Sequence, residues 1–150
     1  MPESSPEEQF EEVKPLCEML FDLSAMFIAK QGNFLPHGAV LDMYGKTAMT
    51  AAAPENDMTD ATEVLPLLHD GLRAETGKAA TQAVAVSENV YIGPDQSPAI
   101  KVLVEHRDGL TLAMYQTFKK RLLRAPSLGE VQVIEADPEV GGWSNALPFS

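Results

Sequence analysis

The 150-residue sequence predicts an α+β domain, an antiparallel sheet of about five or six strands packed by two main helices in the order α-β-β-α-β-β-β(-β). Three observations lead there. Two segments repeat apolar residues at helical spacing. Between and after them, runs rich in Val and Ile follow the strand period and are separated by Gly- and Pro-containing turns. Hydrophobic residues make up 45% and charged residues 22%, ordinary usage for one globular core. The length fits a single domain over residues 1–150, with 1–9 and 138–150 less regular.

The first helix opens at Ser5-Pro6-Glu7-Glu8. Ser5 caps, Pro6 suits the first helical position, and Glu8 completes a capping box. The helix runs to about Gln31, with Val13, Leu16, Cys17, Leu20, Leu23, Ser24 and Phe27 on one face. Met19, Phe21 and Met26 widen that stripe enough to call for cover on more than one side, by the rest of the domain or by a second subunit. Pro15 starts the well-formed part or kinks it. Gly32 is placed to end the helix in the left-handed conformation.

Residues 37–44 and 46–53 read as two short strands joined around Tyr44-Gly45-Lys46, and 54–59 as a polar loop. The second helix spans about 60–75, with Ala61, Val64, Leu65, Leu68 and Leu72 on one face and Pro66, Asp70 and Arg73 opposite. A strand follows over 81–92, then a turn over 93–98. Residues 99–107 and 110–118 form a hairpin about Asp108-Gly109, the strongest short-range signal in the chain.

A two-residue turn there pairs Arg107 with Leu110, Glu105 with Leu112 and Leu103 with Met114. Ile100, Val102, Val104 and His106 then share the core face with Thr111, Ala113, Tyr115 and Thr117. On the outer face, Leu103, Leu110, Leu112 and Met114 are too apolar for open water and need a helix or another subunit over them. The basic cluster 119–124 reads as a loop or short helical turn, and 130–135 as a candidate last strand. Trp143 and Phe149 are placed to pin the irregular C-terminus. There is no internal repeat.

This element order resembles the roadblock and profilin-like families, in which helices cover one antiparallel sheet. The likeness covers about two thirds of the chain and lies in topology alone. Roadblock-type domains are dimerising interaction modules, so the resemblance implies such a role. Separately, Gly32-Asn33-Phe34-Leu35-Pro36-His37-Gly38-Ala39-Val40 resembles a G-x-F-x-P-x-G-A segment of small uncharacterised bacterial proteins, which implies no activity.

A net charge of −11 disfavours nucleic acid and anionic membranes, both of which select for Lys and Arg. The single Cys17 cannot form an internal disulfide. The acidic N-terminus lacks the apolar core of a secretory signal, and no apolar run approaches the roughly 18–20 residues of a membrane helix. The expected location is cytoplasmic. No Gly-rich phosphate loop, nucleophile elbow or metal-ligand spacing is present, so no catalytic residue, metal or cofactor is assigned. Cys17 falls in the apolar stripe, where a thiolate is disfavoured.

His37, Tyr44 and His106 are the candidates for a small-ligand site if the fold gathers them. Met19, Phe21, Met26, Leu103, Leu110, Leu112 and Met114 are the candidates for an interface. The leading functional expectation is a non-enzymatic interaction or regulatory domain that pairs with itself or with another protein. The alternatives are an acidic immunity-type inhibitor of a basic protein, and an enzyme or ligand binder whose site the sequence does not reveal.

Overall fold

The computed structural model describes residues 5–50, 61–121 and 124–143. The elements are α1 (Pro6–Gln31), β1 (His37–Asp42), β2 (Thr47–Thr50), α2 (Ala61–Thr76), β3 (Thr81–Ile92), β4 (Ser97–His106), β5 (Thr111–Arg121) and β6 (Arg124–Glu135). The expected α+β order therefore holds, and the last strand is present. The sheet runs β2-β1-β3-β4-β5-β6, and every neighbouring pair is antiparallel.

The start of α1 is set by the expected capping box. Ser5 Oγ accepts the Glu8 amide, and Glu8 Oε1 accepts the Ser5 amide. Pro15 lies within the helix without ending it, and Gly32 closes it at φ 85°. The helix lies lengthwise on the sheet. Gln9 Oε1 accepts the Leu110 amide just before β5, and Gly32 lies close to the Lys120 ammonium near the other end of that strand. A 26-residue helix is ~39 Å long, matching a β-strand of 11 residues at ~36 Å. The helix therefore runs the length of the central strands.

The two helices cover opposite faces. On β3, Ala83 and Ala85 belong to the α1 core with Val13, Leu16, Cys17 and Leu20, whereas Val84 and Val86 pack with Leu68 and Leu72 of α2. The strand period of two produces this division. Gly38 lets α2 approach closely: a Cβ there would stand 2.9 Å from the Ala85 carbonyl and 3.0 Å from Leu72 Cδ1. This gives the glycine of the Pro36-His37-Gly38-Ala39 stretch a packing role.

The central hairpin corrects the expected register. The His106 amide donates to the Leu110 carbonyl and the Gly109 amide to the His106 carbonyl, so three residues, 107–109, make the loop, with Gly109 at φ 115°. That is a turn followed by a glycine bulge rather than a two-residue turn. The one-residue shift places Val104 opposite Leu112, Val102 opposite Met114 and Leu103 opposite Ala113. Leu112 and Met114 thus move to the α1 face with Ile100, Val102 and Val104, and the mixed outer face disappears.

Most of the basic cluster is strand rather than loop or helical turn, and 122–123 lie outside the described residues. Lys119, Lys120 and Arg121 are the end of β5, and β6 begins at Arg124. The end of the second expected strand and the loop at 54–59 lie outside the described residues, as does Phe149. Trp143 does pack, partly buried, on the α2 core.

Candidate functional site

His37, Tyr44 and His106 are not brought together. His37 pairs with Ser87 and His106 with Ala83, four residues apart along β3. That separation is ~13 Å along the strand alone. Tyr44 sits at the tip of the β1–β2 turn, 83% exposed, where Asp42 Oδ1 accepts the Tyr44 and Lys46 amides.

His37 does join a buried polar knot under α1. Ser24 Oγ donates to the Leu20 carbonyl at 2.7 Å, lies 2.6 Å from Ser87 Oγ and 3.3 Å from His37 Nε2. The Leu35 carbonyl, 3.0 Å from Nδ1, takes the ring's proton. The single Ser24 proton has a nearer acceptor in the Leu20 carbonyl, at 2.7 Å, than in Nε2, at 3.3 Å. A nucleophile–base pair needs the serine proton directed to the base. Phe27 and Phe34 present edge contacts to the ring at 5.3 Å, and burial holds the His37 pKa below its ordinary value despite the Leu35 hydrogen bond. The knot is a buried polar plug in an apolar layer.

His106 acts as a tether. Its Nδ1 accepts the Asp108 amide, so Nε2 carries the proton and donates to Glu12 at 2.8 Å. Cys17 is buried in the same layer, and burial, with Glu18 nearby, pushes its thiol up to about 12.

The other face holds a polar clamp that the sequence did not mark. Glu105 is 4% exposed and its carboxylate accepts three successive backbone amides, from Glu139, Val140 and Gly141, at 3.0, 2.8 and 2.9 Å. Arg73 Nε donates to the Val140 carbonyl at 2.8 Å. Lys101 lies 2.8 Å from Glu139 and 3.9 Å from Glu88, with both Lys101 and Glu88 mostly buried. Burial raises the Glu88 pKa, and Lys101 only partly offsets it. Burial opposes the Lys101 charge, but the hydrogen bond and charge of Glu139 outweigh it and its pKa is raised. These groups strap the C-terminal segment to the sheet. The cleft beside them, lined by residues that include Glu105, His106 and Trp143, is about 40 Å³, room for water rather than a metabolite.

The interface candidates are mostly covered within the chain. Leu103, Leu112 and Met114 are buried, Leu110, Met19 and Phe21 pack partly buried on the α1 core, and Met26 stays exposed. Exposed apolar side chains occur at several places, among them Leu67 and Tyr91, and a contiguous run of them lies on β6, where Val131 is 43%, Val133 44% and Ile134 53% exposed. β6 pairs with β5 on one side, and among the described residues no strand pairs with its other side.

Part of this edge is blunted. Gln116 pairs with Val131 but Phe118 with Leu128, so β6 carries an extra residue at 129–130. Pro126 removes a donor further upstream. Gly129 leaves Thr117 undisturbed there, because a Cβ would stand 2.5 Å from Thr117 Oγ1. An open cleft of about 320 Å³ lies at this bulged end, lined by residues that include Pro98, Phe118, Lys119 and Leu128. The regular part, 131–135, is the Val-Gln-Val-Ile-Glu run. A partial signal for it was present in the sequence, since the run is rich in β-branched residues as a strand is.

Among the described residues no cluster of His, Cys, Asp and Glu side chains could hold a metal ion, and no helix is long and apolar enough to cross a membrane. Comparison with protein-family models, curated proteins and solved structures finds no match to this chain.

Proposed function

We propose that the chain is a non-enzymatic protein-interaction domain whose binding surface is the outer edge of β6, which takes up an extended strand. The supporting observation is the unblunted stretch 131–135, in which three β-branched side chains are exposed beside an unpaired backbone row. Such edges template further pairing unless charge, proline or bulges interrupt them. Here the bulge and Pro126 sit upstream, and 131–134 carry no charge. Main-chain hydrogen bonds supply affinity in this mode, and alternate side chains supply selectivity. Ser24 and His37 lie buried beneath α1, out of a substrate's reach, which favours this reading over hydrolysis.

A displayed library of random decapeptides, selected on the intact chain and counter-selected on Val133→Lys, tests the reading. Enrichment of alternating β-branched peptides that bind the wild type and not the variant supports it. Failure to enrich any such peptide overturns it.

A further inference from the structure

We infer that the strand taken up by β6 is β6 of a second copy of this chain, laid antiparallel about a two-fold axis through Gln132. The inference rests on reading β6 as a strand-binding edge, and it names the occupant.

The pairing has few registers open to it. When a strand pairs with its own copy about an axis perpendicular to the sheet, each residue meets one on the same face. Odd positions therefore meet odd and even meet even. An axis through Val131 sets the partner's Val133 against the bulged Gly129, and an axis through Val133 sets Val131 against the partner's Glu135, so each makes one valine–valine contact. An axis through Gln132 pairs Val131 with the partner's Val133, twice by symmetry, on the α1 face, and places its mismatches, Glu130 against Ile134 and Gly129 against Glu135, outside that central pair. On the other face it sets Gln132 against the partner's Gln132, where each amide both donates and accepts.

Charge favours the same arrangement. The exposed Lys119, Lys120 and Arg121 end β5, beside the start of β6, and the far end of β6 leads from Glu135 to the exposed Asp137. The Gln132 register brings Asp137 opposite the partner's Ser127, which neighbours Lys119 on β5. Both ends of the pairing then bring an acid to within one strand of a base. Elsewhere a chain of net charge −11 repels its copy, so this is the approach that the charge pattern favours.

A short edge buries area at the low end of the roughly 1,200–2,000 Å² typical of stable complexes, so dissociation is expected in the micromolar range. Sedimentation equilibrium of the full chain from about 1 to 200 µM is the test. The wild type should move from monomer to dimer mass, and Val133→Lys should stay monomeric with an unchanged circular dichroism spectrum and melting temperature. Mild oxidation should crosslink Gln132→Cys as a dimer and leave Asp95→Cys, on a remote turn, largely monomeric. The buried Cys17 is shielded from the oxidant in both. A wild type that remains monomeric throughout, or a Val133→Lys variant that dimerises as well as the wild type, overturns the proposal. If selected decapeptides bind β6 while the full chain stays monomeric, self-pairing is wrong and strand binding stands. If neither occurs, both fall.

Discussion

On one face of the sheet α1 alone reaches β1, β3, β4, β5 and β6, and most of what it buries is apolar. On the other face α2 reaches only β1, β2 and β3, and beyond it the C-terminal segment is held by Glu105, Arg73 and Lys101 through hydrogen bonds and charge. Apolar burial is indifferent to direction, so the α1 layer needs only volume and shape. A carboxylate accepting three consecutive amides is directional, and it fixes one segment in one register. The first face resists opening as a whole; the second is built so that its strap can come away while the sheet persists.

The largest effect belongs to the α1 layer. Leu20 is fully buried at its centre, and Leu20→Ala should cost about 3 kcal/mol of global stability, read from the denaturant midpoint. A loss below about 1 kcal/mol would show that the layer collapses around the cavity. Glu105→Ala removes three charge-assisted bonds and should cost about 2 kcal/mol. Its signature is local: hydrogen exchange should accelerate at the amides of 139–141 and stay slow in α1. The Cys17 thiol, sealed beneath α1, should react with a thiol reagent as slowly as in the wild type. Equal acceleration in both places would mean that the two faces open as one unit.

The same contrast explains what could be read in the sequence. Helix α1 was legible to its ends because its cap, stripe and terminating glycine are all local signals. The hairpin was legible in position but off by one in register. Asp-Gly serves two-residue and three-residue loops alike, and the alternation on these strands is too apolar on both sides to choose between them. The Glu105 clamp was not legible. It joins a strand to amides 34 to 36 residues away, and a backbone amide leaves no mark in the side-chain pattern. The open edge of β6 was half legible: the strand was expected, but its place at the margin depends on how all the others order.

His37 gives the α1 face an acid limit. Burial lowers its pKa below the ordinary histidine value of 6.5, so its contribution to stability is complete above that pH. It is lost as pH falls through the folded value, because the unfolded chain takes up the proton first. The loss approaches ~1.4 kcal/mol per pH unit for one group at most. His37→Gln should flatten the melting-temperature profile between pH 6.5 and the acid transition, whatever it does to stability at neutral pH. An unchanged slope would assign the acid limit to another group. The nearby ionisable side chains of α1 do not share the knot: its polar partners are Ser24, Ser87 and the Leu35 carbonyl.

Glu88, on the α2 face, should act with the opposite sign and a smaller size. Burial raises its pKa above 4.5, with Glu139 adding to the rise and Lys101 and His69 opposing it. A carboxyl that protonates earlier in the folded chain contributes stability fully present below the unfolded value and lost as pH rises through the folded one. At neutral pH the ionised Glu88 therefore works against the fold. Glu88→Gln removes that cost and leaves Lys101 its 2.8 Å partner Glu139, so the melting temperature at pH 7 should rise slightly. At pH 4 the gain should vanish. A variant less stable than the wild type at pH 7 would show that the Glu88–Lys101 attraction outweighs desolvation. The charged cluster would then hold the second face together on its own account, and Glu105 would no longer be its principal fastening.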